Sequence, residues 1–121
     1  MRHVGLLFAL CAMAAPALAQ TVTVRPAPPK PLQCEVGPVS KTFGRTQWLV
    51  YGCADNRSLV VLAAPGNPAN PFYFLFSPGD SGYRITGEGT GRQSATRAAF
   101  AELETLTDQD IAALLEETRQ R

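Results

Sequence analysis

Apolar residues follow two different patterns along this chain, first in short strand-like runs and then at helical spacing. The runs are rich in β-branched and aromatic residues, which favour strands. They cover residues 47–53, 58–64, 72–77 and 82–86, and residues 32–39 can add a strand at the sheet edge. Short polar links with Asp, Asn, Pro and Gly suit turns, so consecutive runs are expected to form antiparallel hairpins.

The last third of the chain predicts two helices. Residues 94–106 and 107–121 are rich in Ala, Leu and Glu, with apolar residues at helical spacing. Thr107 with Asp110 three positions later forms a predicted capping box for the second helix. Strands followed by helices without alternation predict an α+β fold. We expect an antiparallel four- to five-stranded meander followed by two C-terminal helices packed on one face of the sheet.

Both faces of the predicted sheet are apolar. Alternation places Phe74 on one face of its strand and Tyr73 and Leu75 on the other. Two short helices cover only one face, so the other is either covered by the proline-rich segment, the 65–71 loop or a second copy, or binds a partner. The residues that we assign to a partner face are Trp48, Tyr51, Tyr73 and Leu75.

The N-terminus has the pattern of a secretory signal peptide. Arg2 precedes an apolar run, and Ala17-Leu18-Ala19 forms a small-x-small cleavage site. We therefore predict a signal peptide at 1–19, a proline-rich tether at 20–32 and a single small domain at 33–121, located in the periplasm or outside the cell.

Cleavage would remove His3, Cys11 and both methionines, which leaves Cys34 and Cys53 as the only sulfur-containing residues. In an oxidising compartment these two cysteines predict a disulfide. A chain without His and with its thiols consumed is a poor transition-metal site, and we expect no metal and no cofactor. Ten basic and ten acidic residues remain, so the near-zero charge argues against nucleic acid and anionic membranes as partners. The apolar run is too short to span a membrane.

Two short motifs suggest chemistry. Gly79-Asp80-Ser81-Gly82 matches the segment around a serine-protease nucleophile, but the mature chain has no histidine to act as the base, so we predict no enzyme. A glycine-rich segment then precedes the first helix, where backbone N–H groups can bind an anion. We expect a flexible connection at 87–91 without a ligand, and the alternative is an anion site at Gly89, Gly91 and Arg92.

Residues 51–59 resemble the strand, turn and strand around a cysteine in periplasmic inhibitors of C-type lysozyme, and Ser81-Gly82-Tyr83 is similar to their inhibitory loop. The resemblance implies a small β-barrel, whereas two helices are predicted to end this chain. The leading hypothesis is a non-catalytic envelope protein that binds another envelope or extracellular protein as an inhibitor or accessory subunit, with a homodimer as an option. The alternatives are a carrier of a small apolar or anionic ligand and, third, a carboxylate-based enzyme.

Overall fold

The computed structural model describes Gly5 and residues 31–121. The predicted signal peptide apart from Gly5, and the predicted tether apart from residues 31 and 32, lie outside the described residues. The elements are β1 (Val36–Phe43), β2 (Thr46–Gly52), β3 (Leu59–Ala63), β4 (Phe72–Gly79), β5 (Gly82–Gly89), α1 (Gln93–Leu103) and α2 (Asp108–Arg119).

The strands form one antiparallel sheet in the order β1-β2-β3-β4-β5, so the predicted meander is confirmed. Within residues 31–121, β1 and β5 each pair on one side only, which makes this an open sheet and not a barrel. Both helices pack against the same face, α1 on β1 and α2 on β1 and β2. The predicted α+β architecture is therefore confirmed, including the helices on one face.

The turn between β1 and β2 shows how the sequence brings α1 close to the sheet. Gly44 (φ 59°) and Arg45 (φ 66°) both adopt left-handed conformations, as a type I′ turn requires. Gly44 also lies directly under α1, because a Cβ there would overlap the backbone of Ala98 and Ala99. Its N–H donates to Oε1 of Glu102 at 3.0 Å. The glycine therefore permits both the turn and the close contact with the helix.

The core lies between the sheet and the helices. Trp48 is at its centre with 0% of its surface exposed, and its Nε1 donates to the carbonyl oxygen of Phe43 at 3.1 Å. This hydrogen bond satisfies the one polar group that burial of the indole would otherwise leave unpaired. The other buried core residues include Val50, Leu59, Val61, Phe74 and Phe76 from the sheet and Ala99, Leu103, Ile111, Leu114 and Leu115 from the helices.

Local signals in the sequence place α2 and the disulfide correctly. The side chain of Thr107 accepts from the N–H of Asp110 at 3.1 Å, and the Asp110 carboxylate accepts from the N–H of Thr107 at 2.9 Å. The capping box is thus confirmed. Cys34 and Cys53 form the predicted disulfide.

The structure corrects the prediction of a flexible connection at 87–91. β5 continues to Gly89, which pairs with Phe72 of β4. Glycine is favoured in this strand because the Phe72 ring lies across Gly87, where a Cβ would be 2.9 Å from the ring carbons. The strand is therefore extended by pairing and close packing, although glycine has a low intrinsic preference for strands.

Candidate binding surface

The sheet face opposite the helices carries a continuous apolar patch. Two rows cross the three central strands, Leu49 beside Leu62 and then Tyr73, and Tyr51 beside Val60 and then Leu75. We call these six residues the open-face patch. All six are half-buried or exposed, and Leu62 and Tyr73 each leave 37% of their surface exposed. No helix lies on this face among the described residues.

Two shallow grooves run along the patch on either side of Leu62 and Tyr73. The first has a volume of about 330 Å³ and is otherwise lined by Leu32, Cys34, Val60 and Leu75. The second has a volume of about 300 Å³ and is otherwise lined by Pro71, Phe72, Glu88 and Gly89. Both are open to solvent. The surface of the patch is therefore grooved, but neither groove is an enclosed cavity.

The disulfide places the segment before β1 at the border of the patch. Cys34 is joined to Cys53 at the end of β2, and the N–H of Ala54 donates to the carbonyl oxygen of Gln33 at 2.7 Å. These two links hold Leu32 against the first groove, with 46% of its surface exposed. The disulfide thus adds the aliphatic side chain of Leu32 to the border of the open face.

A hydrogen bond between Tyr73 and Glu88 forms the polar border of the patch on the side of β5. The hydroxyl of Tyr73 donates to Oε2 of Glu88 at 2.9 Å. This hydrogen bond, together with the carboxylate charge, raises the pKa of Tyr73 above its ordinary value of 10.0. The phenol therefore stays a neutral donor at neutral pH, and the ring presents its apolar surface beside a polar rim.

The structure corrects one residue of the predicted partner face. Tyr51, Tyr73 and Leu75 lie together on the open face, as assigned. Trp48 does not, because it is completely buried on the helix side, where its ring lies 5.4 Å from that of Phe74. Trp48 and Tyr51 are three positions apart in one strand, and an odd spacing puts side chains on opposite faces.

Four further residues of this surface were missed. Leu49, Val60 and Leu62 follow from alternation once Tyr51, Tyr73 and Leu75 are assigned to one face and the strand register is known. Leu32 had no signal of its own in the sequence. Its position depends on the path that the disulfide imposes on the chain before β1.

The backbone at the predicted anion site is already engaged. The N–H groups of Thr90 and Gly91 donate to the carbonyl oxygen of Pro71 at 3.0 and 3.2 Å, and the N–H of Arg92 donates to that of Pro68 at 3.0 Å. A Cβ at Gly91 would overlap the backbone of Ala69. The segment around Gly89 and Gly91 therefore packs against the 65–71 loop, and these three amides are not free to bind an anion.

The other motif forms a turn. Asp80 and Ser81 are the two loop residues between Gly79 and Gly82, which pair at the end of the β4–β5 hairpin. Residues 31–121 contain no cluster of three or more His, Cys, Asp or Glu side chains that could hold a metal ion. In the same range, no helix is long and apolar enough to cross a membrane.

The open-face patch is accordingly the surface on which a functional interpretation can rest. Its six residues come from three neighbouring strands, and Leu32 of the disulfide-linked segment before β1 lies beside them. No protein family, no curated protein and no solved structure matches this chain.

Proposed function

We propose that this protein is a non-catalytic binding module that uses the open-face patch to bind another protein. The observation that carries the proposal is the patch itself, six apolar side chains from three neighbouring strands with no helix over them in the described chain. A contiguous apolar surface rimmed by polar groups is typical of protein interaction sites. Tyr73 is the natural anchor, because a ring with a polar tip supplies large contact area at low entropic cost.

The shape of the patch favours a protein over a small molecule. Binding pockets for small molecules bury roughly 70–90% of the ligand surface. The two grooves are open on the solvent side, so a small molecule lying in either would stay largely exposed. A protein partner covers both grooves at once and also contacts the polar rim. A carrier of a small ligand is therefore the second candidate. The observation in its favour is the volume of the first groove, about 330 Å³.

The compartment follows from the cysteines and the N-terminal pattern. A disulfide between Cys34 and Cys53 is compatible with an oxidising environment such as the periplasm or the extracellular space. A signal peptide at 1–19 would direct the chain there. The partner in this proposal is another protein of the envelope or the extracellular medium.

Partner selection is expected to depend on apolar contact more than on charge. The exposed Arg84 and Glu88 have opposite signs and lie on the same side of the sheet as the patch. A mixed rim of this kind provides no long-range steering field, so binding should depend weakly on salt. The partner should present aliphatic side chains that fill the grooves beside Leu62 and Tyr73.

The test is a crosslinked pull-down from envelope extract with the disulfide-intact protein. The patch variant is Tyr73→Asp with Leu75→Asp, and the matched control is Thr42→Asp with Ser94→Asp. The control puts two charges at exposed positions outside the patch, one on the same sheet face at β1 and one on α1. We expect one captured protein to be lost with the patch variant and kept with the control. Thermal unfolding verifies that each variant folds, and Tyr73→Asp alone replaces the pair if Leu75→Asp prevents folding.

Two outcomes would overturn the proposal. If the patch variant and the control both still captured the protein, the partner would bind elsewhere. No capture by the wild type would also count against a protein partner. In that case, a rise in melting temperature with an apolar small molecule, lost with the patch variant, would support the carrier instead.

A further inference from the structure

One edge of the sheet is open for pairing with another strand. β5 has eight residues and no proline, and five of the eight are exposed. The other edge strand, β1, contains Pro38, has a register irregularity between Val36 and Val39, and contacts both helices. Such features protect an edge strand from pairing with a second chain. Of these features, β5 lacks the proline and the register irregularity among the described residues.

The hairpin geometry defines which backbone groups of β5 point outward. A two-residue turn makes Gly79 and Gly82 the hydrogen-bonded pair that closes the hairpin, and hydrogen-bonded positions alternate along an antiparallel pair. Arg84, Thr86 and Glu88 therefore bond to β4. The N–H and C=O groups of Tyr83, Ile85 and Gly87 point away from the sheet, and no turn, loop or cap hydrogen bond in residues 31–121 uses them.

We propose that β5 pairs antiparallel with β5 of a second copy of this chain, about a two-fold axis that passes through Thr86. Ile85 then lies opposite Gly87 of the second copy, and both carry outward-pointing backbone groups, as a hydrogen-bonded pair requires. The pairing joins the two five-stranded sheets into one. The proposal goes beyond the proposed function, because it concerns the backbone edge of β5, whose charged residues Arg84 and Glu88 border the open-face patch without belonging to it.

Charge complementarity selects this register. Arg84 and Glu88 lie two positions on either side of Thr86, on the same face, and both are exposed. With Thr86 on the axis, Arg84 of each copy lies opposite Glu88 of the other, so two oppositely charged cross-strand pairs form. Pairs of this kind stabilise antiparallel strands, and like charges opposite each other destabilise them. A register with Ile85 on the axis sets Arg84 against Thr86 and forms neither pair.

Side-chain volumes agree with the same register. On the helix side of the sheet, Ile85 lies opposite Gly87 of the second copy, and Tyr83 lies opposite Gly89. Each large residue therefore faces a glycine, so no two large side chains lie directly opposite each other on this face of the paired strands. The Phe72 ring, which lies across Gly87 in each copy, adds apolar surface beside the incoming isoleucine. Charge and volume thus favour one register.

A charge swap tests the proposal. The protein, purified after expression of the full-length sequence under oxidising conditions, is expected to sediment as a concentration-dependent dimer. Arg84→Glu should weaken the dimer at least about tenfold, because the two-fold axis repeats each repulsion. Adding Glu88→Arg should restore it. Arg97→Glu is the matched control, since it makes the same charge change at an exposed position on α1, and it should leave the dimer unchanged.

A cysteine at the axis tests the register directly. Thr86→Cys should give a covalent dimer on a non-reducing gel, because each residue on a two-fold axis meets its own copy. Thr42→Cys, an exposed threonine on the opposite edge strand, should not. A wild type that stays monomeric at all concentrations would overturn the proposal. A dimer that Arg84→Glu leaves unchanged, or that the double swap does not restore, would overturn it as well.

Discussion

Gly91→Ala should destabilise the protein strongly, because the space at this position is already filled. Gly91 lies between β5 and α1, and a Cβ there would overlap the backbone of Ala69. Its φ lies outside the left-handed region, so alanine is conformationally acceptable. The contact is with backbone and not with the end of a flexible side chain, so the 65–71 loop must move to admit a methyl group.

The magnitude follows from the contacts that this movement breaks. Gly91 and Arg92 each donate a backbone hydrogen bond to the loop, to Pro71 at 3.2 Å and to Pro68 at 3.0 Å. Each hydrogen bond contributes about 1 kcal/mol to stability. Forcing an extra methyl group into a packed site costs about 1–3 kcal/mol. We therefore expect the free energy of unfolding to fall by about 3–5 kcal/mol, a large share of the roughly 5–15 kcal/mol typical of a small domain.

Urea unfolding of the wild type, Gly91→Ala and Gly66→Ala measures the effect. Gly66 is the control, because it has no atoms within 4 Å of its Cβ position but has a φ of +85°. Its substitution should cost only the backbone strain of a left-handed alanine, about 1–2 kcal/mol. If Gly91→Ala were no more destabilising than Gly66→Ala, close packing would not be the reason for glycine at 91.

Two further results are expected. Replacing Cys34 and Cys53 together by alanine should lower the free energy of unfolding by about 3 kcal/mol in the chain-entropy model, and a urea midpoint equal to that of the wild type would contradict this. The hydrogen bond from the backbone N–H of Thr107 is the main cause that lowers the pKa of Asp110 below its ordinary value of 3.8, and the side chain of Thr107 lowers it further. The carboxylate therefore stabilises the fold above pH 3.8, and this stabilisation is lost as the pH falls through the lowered pKa. The difference in melting temperature between the wild type and Asp110→Asn should therefore shrink between neutral pH and about pH 2, whereas a pH-independent difference would refute this role of the capping box.

The predictable parts of the fold depend on local patterns. The capping box of Thr107 and Asp110 defines where α2 begins, and alternation in β4 separates Phe74 from Tyr73. The end of β5 was not predictable in this way. Gly87 and Gly89 favour an irregular segment when taken alone, and only pairing with β4 and packing against the Phe72 ring make them part of a strand.

The candidate site was predictable to the extent that it depends on alternation. Tyr51, Tyr73 and Leu75 share a face for that reason. Trp48 lies on the opposite face, because it is three positions from Tyr51 in the same strand. Leu32 joins them only through the disulfide, whose geometry is a property of the folded chain. The complementary spacing of charges along β5 is visible in the sequence, but it acquires meaning only once β5 is known to be an edge strand.

The attachment of α2 to β1 affects the order in which the domain can fold. Each strand pairs with its neighbour along the chain, and such local pairings are the fast ones to form. The Lys41–Glu117 ion pair, by contrast, joins residues 76 positions apart. During synthesis the sheet can assemble before α2 has emerged, with Trp48 still accessible. The nascent domain therefore passes through a stage in which chaperones and proteases can reach the surface that becomes its core.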